Sequence, residues 1–149
     1  MNQKLNLAVL AVILLVSCQN PPARIVSETF PDGSPKVVKY YQLNGRDSVL
    51  LKEEVFYQSG KRYMMGKYSN GKRDSIWTAW LEDGRVWSKG GYREGLEDGP
   101  KEVYHPNGSL FYKGQYKLGK RVGVWEFRND KGERVQTLDY GPEGEQQGN

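Results

Sequence analysis

Few residues in this 149-residue chain are equipped for covalent or acid–base chemistry. There is one histidine, His105, next to Pro106, and one cysteine, Cys18, at the end of an apolar run. A zinc site needs three or four nitrogen, sulfur or oxygen ligands at suitable spacing, and one histidine among scattered acids does not supply them. Asp74 and Asp98 occupy matching places 24 residues apart, so they would stand two strands apart in a meander, roughly 10 Å, as solvated loop carboxylates rather than a catalytic pair. No serine has a base partner that the sequence can place beside it. The residues therefore predict no catalytic group, no metal site and no cofactor.

Binding chemistry is better represented. Lys61, Arg62, Tyr63, Lys67, Tyr68, Lys72 and Arg73 form one basic-aromatic cluster, and Tyr112, Lys113, Tyr116, Lys117, Lys120 and Arg121 form another. Cations beside aromatic rings hold anionic groups or proteins through charge and cation–π contacts. Candidate binding residues are Tyr63, Lys67, Tyr68, Trp87, Tyr92, Phe111, Tyr116 and Lys117. The alternative is plain solvation, since a sheet one layer thick must wet both faces. Glu53, Glu54, Glu82, Glu97 and Glu102 dilute the positive field and favour that alternative.

The elements that position these residues repeat. Gly60, Gly84, Gly108 and Gly132 are 24 residues apart, and the step recurs at Gly66, Gly90 and Gly114, at Gly71, Gly95 and Gly119, and at Tyr68, Tyr92, Tyr116 and Tyr140. A fixed period of this length marks a repeat architecture, in which each unit buries its apolar residues against its neighbours. Ser59-Gly60, Asp83-Gly84, Asn107-Gly108 and the looser Asp130-Lys131-Gly132 supply the positive φ angles of tight turns. A second turn, at Asn70-Gly71, Glu94-Gly95 and Leu118-Gly119, leads into a longer polar connection.

Flanking strands are expected at 77–81 and 85–92, and at 101–105 and 109–116. Period-2 alternation puts Val55, Ala79, Val103 and Phe127 in one column. Phe56, Trp80 and Tyr104 fall on the opposite face, where Arg128 breaks the series. Tyr63, Trp87, Phe111 and Val135 make another apolar column. Gly66, Gly90 and Gly114 mark a bulge or a close approach. Phe30 to Gly33 and Tyr41 to Asp47 read as a degenerate first unit. Eighteen glycines, ten Tyr, four Trp and four Phe suit short strands and turns, and no sustained 3.6-residue period argues for helix. The fold class is all-β: an elongated, single-layer antiparallel meander of hairpin repeats over residues 28–140.

The first 17 residues read as an address. Leu7–Val16 is an unbroken apolar run of ten, too short to span about 30 Å of hydrocarbon but suited to a secretory signal. Leu15-Val16-Ser17-Cys18 resembles the lipobox of bacterial lipoproteins. That resemblance implies cleavage before Cys18, a diacylglyceryl thioether on its sulfur and stable membrane anchoring through two or more acyl chains. Gln19 in place of Asp is compatible with the outer membrane of a Gram-negative cell. Residues 18–27, with Pro21-Pro22, are expected to form a tether, and 141–149 a disordered tail. Loss of residues 1–17 removes one Lys from a formal charge of +4, leaving a mildly basic chain with no case for nucleic-acid binding.

The repeat itself resembles the MORN-repeat proteins in their bacterial form. The spine appears as Gly66-Lys67-Tyr68, Gly71-Lys72 and Trp77, and again as Gly114-Gln115-Tyr116, Gly119-Lys120, Gly123-Val124-Trp125. The copy between them departs at Lys101, where the Trp is missing, and the first copy has Ser75 where glycine is expected. The resemblance covers roughly residues 50–140. It implies a protein- or lipid-contacting scaffold, and its YwqK-type antitoxin branch implies neutralisation of a toxin by binding. The expected function is a non-enzymatic envelope lipoprotein that binds a protein partner, a lipid or a second copy of itself; the alternative is an antitoxin or immunity protein.

Overall fold

A computed structural model describes residues 21–144. Signal-peptide cleavage, lipidation of Cys18 and the last five residues lie outside that range. Ten strands run in chain order: β1 (Ala23–Thr29), β2 (Pro35–Asn44), β3 (Asp47–Phe56), β4 (Arg62–Ser69), β5 (Lys72–Trp80), β6 (Val86–Arg93), β7 (Leu96–Tyr104), β8 (Leu110–Lys117), β9 (Lys120–Arg128) and β10 (Arg134–Asp139). Each pairs antiparallel with the next in one open sheet, so the chain is an all-β single-layer meander.

Two turns alternate along the sheet. In the five-residue turn the first amide bonds the last carbonyl and the glycine amide bonds the first carbonyl: Tyr57 N to Lys61 O at 2.8 Å and Gly60 N to Tyr57 O at 2.9 Å. The same pair recurs around Gly33, Gly84, Gly108 and Gly132. The degenerate first unit and the looser Gly132 turn thus obey the same hydrogen bonds. The first unit's extra length is taken up by β2 and β3, ten residues each against eight and nine in β4 and β5. The other turn has two residues, both at positive φ: Asn70 and Gly71 at 50° and 73°, with Glu94-Gly95 and Leu118-Gly119 alike. This geometry matches the right-handed twist of a hairpin.

Three expectations need correction. The second turn does not lead into a polar connection, because β5, β7 and β9 begin at once, at Lys72, Leu96 and Lys120. Their polar first halves read as loop because they carry a mid-strand irregularity. Ser75, Gly99 and Gly123 sit there at φ of 61°, 111° and 60°, and Ser75 takes a conformation its counterparts leave to glycine. The sheet also begins at Ala23, inside the expected tether, because Ala23 to Thr29 pairs with β2. At the other end Gly141 to Gly144 form a turn rather than a loose tail, with Gly123 N bonded to Gly141 O at 2.8 Å.

With one layer, the buried apolar residues must lie on the faces, most of them on one, although Val38, 0 % exposed, sits opposite Glu54 on the other. Register places Val37, Val55, Met64, Ala79, Ser88, Val103, Tyr112 and Phe127 in one transverse row, which contains the predicted column. Trp77 and Trp125 lie on this face, 4 % and 0 % exposed. The opposite face carries Glu54, Met65, Thr78, Lys89, Glu102, Lys113 and Glu126 in a parallel row. From Lys89 to Glu126 the row alternates in sign, and Lys113 lies 3.6 Å from Glu126.

Glu54 is the buried acid of that polar face, 5 % exposed. It accepts the Tyr40 hydroxyl at 2.7 Å and pairs with Lys52 at 3.2 Å and Arg62 at 3.1 Å. Burial alone would raise its pKa, but the Tyr40 and Lys52 hydrogen bonds and the two cations outweigh it and hold the carboxyl below its ordinary 4.5. A depressed carboxylate contributes stability that is present above the unfolded pKa and is lost as pH falls through the folded one. Glu54→Gln is therefore expected to cost about 1.5 kcal/mol at pH 7, modest because both cations are partly solvated. In urea melts, the gap between the two proteins should shrink steadily below pH 4.5; a constant gap down to acid pH would contradict this role.

Candidate functional site

The structure sorts the expected binding residues into two groups. Tyr68, Tyr92 and Tyr116 belong to brackets around the indoles. Trp77 lies against Tyr68 and Tyr92, with centroids 5.4 and 6.2 Å away and steep ring angles. Trp125 lies in the same way against Tyr116 and Tyr140, at 5.1 and 6.1 Å. Edge-to-face contacts of this kind contribute about 0.5–1.5 kcal/mol each beyond burial. These tyrosines are half-buried and packed against the indoles.

The bracket is built from the repeat's own landmarks. Gly66 and Gly114 have no side chain because the indoles lie on them. A Cβ on Gly66 would fall 2.0 Å from Trp77 Cδ2, and one on Gly114 2.2 Å from Trp125 Cδ2. The ladder slips at these places, with Met65 and Lys67 opposite Thr78 and Asp74, and Lys113 and Gln115 opposite Glu126 and Val122. Each indole N–H then donates across the slip, Trp77 to Lys67 O at 3.1 Å and Trp125 to Gln115 O at 3.2 Å. A guanidinium covers each ring from four residues earlier, Arg73 at 4.0 Å and Arg121 at 4.6 Å. Reading the clusters as cations beside tyrosines missed this role for the arginines. The recoverable signal was the common Arg–Trp spacing of 73 to 77 and 121 to 125.

The unit between them keeps the positions and changes the chemistry. Glu97 stands where Arg73 and Arg121 do, and Lys101 where the tryptophans do. They form an ion pair at 3.0 Å. Burial would lower the Lys101 pKa, but the hydrogen bond and charge of Glu97 outweigh it and raise it.

Tyr63, Trp87, Phe111 and Val135 form the second group, and they are not the cross-strand ladder column the alternation predicts. Each is the extra residue of a bulge next to a five-residue turn. Phe56 opposes Arg62 while Val55 opposes Met64, which leaves Tyr63 out of register. The same slip leaves out Trp87, Phe111 and Val135. An extra residue reverses the count of alternation locally, so the pattern is regular between repeats but misplaced within one. Bulging turns these side chains outward: Trp87 is 41 %, Phe111 40 % and Val135 63 % exposed. Tyr63 leans on Tyr57 with centroids 5.2 Å apart, and Phe111 on His105 at 4.7 Å. Equivalent positions two strands apart are about 10 Å apart. The result is an apolar rim along the side of the sheet where the five-residue turns lie.

The remaining candidates join neither group. Lys67 is exposed and alternates with Gly66 and Tyr68, so it points to the polar face. Lys117 is exposed near a two-residue turn, 3.8 Å from Glu143. His105 shares a hydrogen bond with Arg128 O at 3.0 Å through Nε2, which ties one five-residue turn to the next strand pair. Asp74 and Asp98 lie in β5 and β7 rather than in loops, on either side of a groove of about 330 Å³ that Gly91 also lines. Among the described residues, no group of three or more His, Cys, Asp or Glu is placed to hold a metal ion. No protein-family model matches the chain, and no curated protein matches it.

Proposed function

We propose that this chain is a lipid-anchored envelope protein that binds a protein partner through the apolar rim of its sheet, with no catalytic step. The observation that carries the reading is the rim: Trp87, Phe111 and Val135 stay exposed at matched positions although their own repeats bury Trp77 and Trp125. Aromatic residues held in a fixed row suit a binding hot spot, where a few large rings supply most of the affinity. The row sits on paired strands, so little ordering cost opposes binding. Lipobox-like Leu15 to Cys18 supports the anchor, and the MORN-like spine supports a scaffold.

The test is a crosslinking pull-down from envelope membranes with three full-length chains: wild type, Cys18→Ser, and Trp87→Ala with Phe111→Ala. One envelope protein recovered by the wild type and lost with both variants is the expected result. Equal recovery by the rim variant would remove the rim from the reading. Recovery of a toxin instead would favour the immunity alternative.

A further inference from the structure

The unit between the two indole brackets contains a ring seat taken by a lysine side chain instead of an indole. Part of the bracket is kept, with Gly90 as the floor and Tyr92 and Tyr116 at the positions that elsewhere bracket an indole, while Glu97 replaces the guanidinium cover. What is missing is the ring. Over Gly66 and Gly114 a Cβ would run into an indole at 2.0 and 2.2 Å, whereas over Gly90 the nearest atoms are Lys101 Cδ and Nζ at 3.4 Å and Tyr92 Cε2 at 3.6 Å. Beside the lysine stem lies a cavity of about 50 Å³ lined by Arg73, Trp77, Ala79, Ser88, Tyr92 and Lys101. A cavity that size holds little more than water as it stands. Lysine, unlike an indole, has a flexible four-carbon stem that can swing aside and enlarge the space.

We infer that this seat binds a planar aromatic ring carrying a carboxylate. The sister repeats show what the floor and walls accept, since the same glycine and tyrosines hold an indole there. The charge follows from the lining. Arg73 and Lys101 both border the cavity, and Glu97 neutralises only one of them. Arg73 Cζ lies 4.0 Å from the Trp77 ring centroid, and that contact holds the guanidinium beside the cavity, where it can bond an anion. The two other brackets cannot take the same ligand, because their seats are filled. The inference concerns a site on the indole face and stands apart from the rim.

The experiment is a titration of the full chain with indole-3-acetate, followed by the amide shifts of Gly90 and Ala79. Weak binding, with a dissociation constant of about 1 mM, is expected from a seat this small. Lys101→Trp puts an indole over Gly90 and fills the seat, so it should weaken binding about tenfold or more. Gly90→Ala is the second variant: its methyl would make ordinary contacts with the Lys101 side chain at 3.4 Å and the Tyr92 ring at 3.6 Å, so the fold should survive while binding weakens. Tryptamine, with a cation in place of the carboxylate, should bind more weakly than indole-3-acetate. Undiminished binding by both variants, tryptamine binding as tightly as the acid, or no shift at Gly90 at about 10 mM would each overturn the inference.

Discussion

Replacing Trp125 by alanine is expected to lower stability by about 3 kcal/mol or more, the usual range for an aromatic truncated in a packed site. The ring is 0 % exposed and is the largest fully buried side chain among the described residues. It touches Tyr116 and Tyr140, lies under Arg121 and donates to Gln115 O at 3.2 Å. Truncation would open the space above Gly114, where glycine offers nothing to fill it, and would leave the Gln115 carbonyl short of its indole partner. For a domain of this size the melting temperature should fall by about 12 °C. A loss below about 0.5 kcal/mol in a urea melt would mean that the ring contributes no core, which no variant at an ordinary buried tryptophan should show.

A single methyl should do comparable damage from below. Gly114→Ala would set a Cβ at 2.2 Å from Trp125 Cδ2 and 2.3 Å from Cε2. The ring cannot give way easily, since tyrosines hold two of its sides and its N–H is bonded. It must lift, and the expected cost is about 3 kcal/mol, the upper end for overpacking a core. Gly90→Ala is the internal control at the same place in the neighbouring repeat. Its Cβ would come no nearer than 3.4 Å to the Lys101 side chain and 3.6 Å to the Tyr92 ring, so it should change stability by under about 0.5 kcal/mol. In a Trp125→Ala background the Gly114→Ala penalty should nearly vanish, because the two residues act as one contact. Equal effects at Gly114 and Gly90 in chemical denaturation would contradict the bracket.

The architecture could be read from glycine and tyrosine spacing because most landmarks are fixed by a backbone demand that recurs in every unit or by a ring contact that recurs in all but the middle one. The turn glycines need positive φ, and the floor glycines need the absence of a side chain. The transverse row through Val55, Ala79, Val103 and Phe127 follows from period-2 alternation, which holds where pairing is regular. The same rule misplaced Tyr63, Trp87, Phe111 and Val135, because a bulge shifts the alternation by one and leaves no mark in residue type. It also hid the first halves of β5, β7 and β9, whose polar residues and positive-φ break look like loop.

The candidate site was harder to read for a related reason. Tyrosine beside lysine or arginine looks the same in sequence whether the ring faces solvent or brackets an indole. Only register separates Tyr68, Tyr92 and Tyr116, which are structural, from Trp87 and Phe111, which are exposed. The departures from the repeat proved informative. Ser75 adopts the backbone conformation expected of its missing glycine, while Lys101 lays a flexible stem where its missing tryptophan would sit.

The most direct measurement for the proposed role is photo-crosslinking in living cells from position 111, with a photoreactive phenylalanine analogue replacing Phe111 in the full-length chain. The ring there is exposed on the rim, and an aromatic analogue preserves its contact with His105. The account predicts one dominant protein adduct that disappears when Cys18 is changed to Ser, with no adduct from the same probe at position 125 inside the bracket. Absence of any adduct at 111, or the same adduct with and without Cys18, would contradict an anchored protein that binds through its rim.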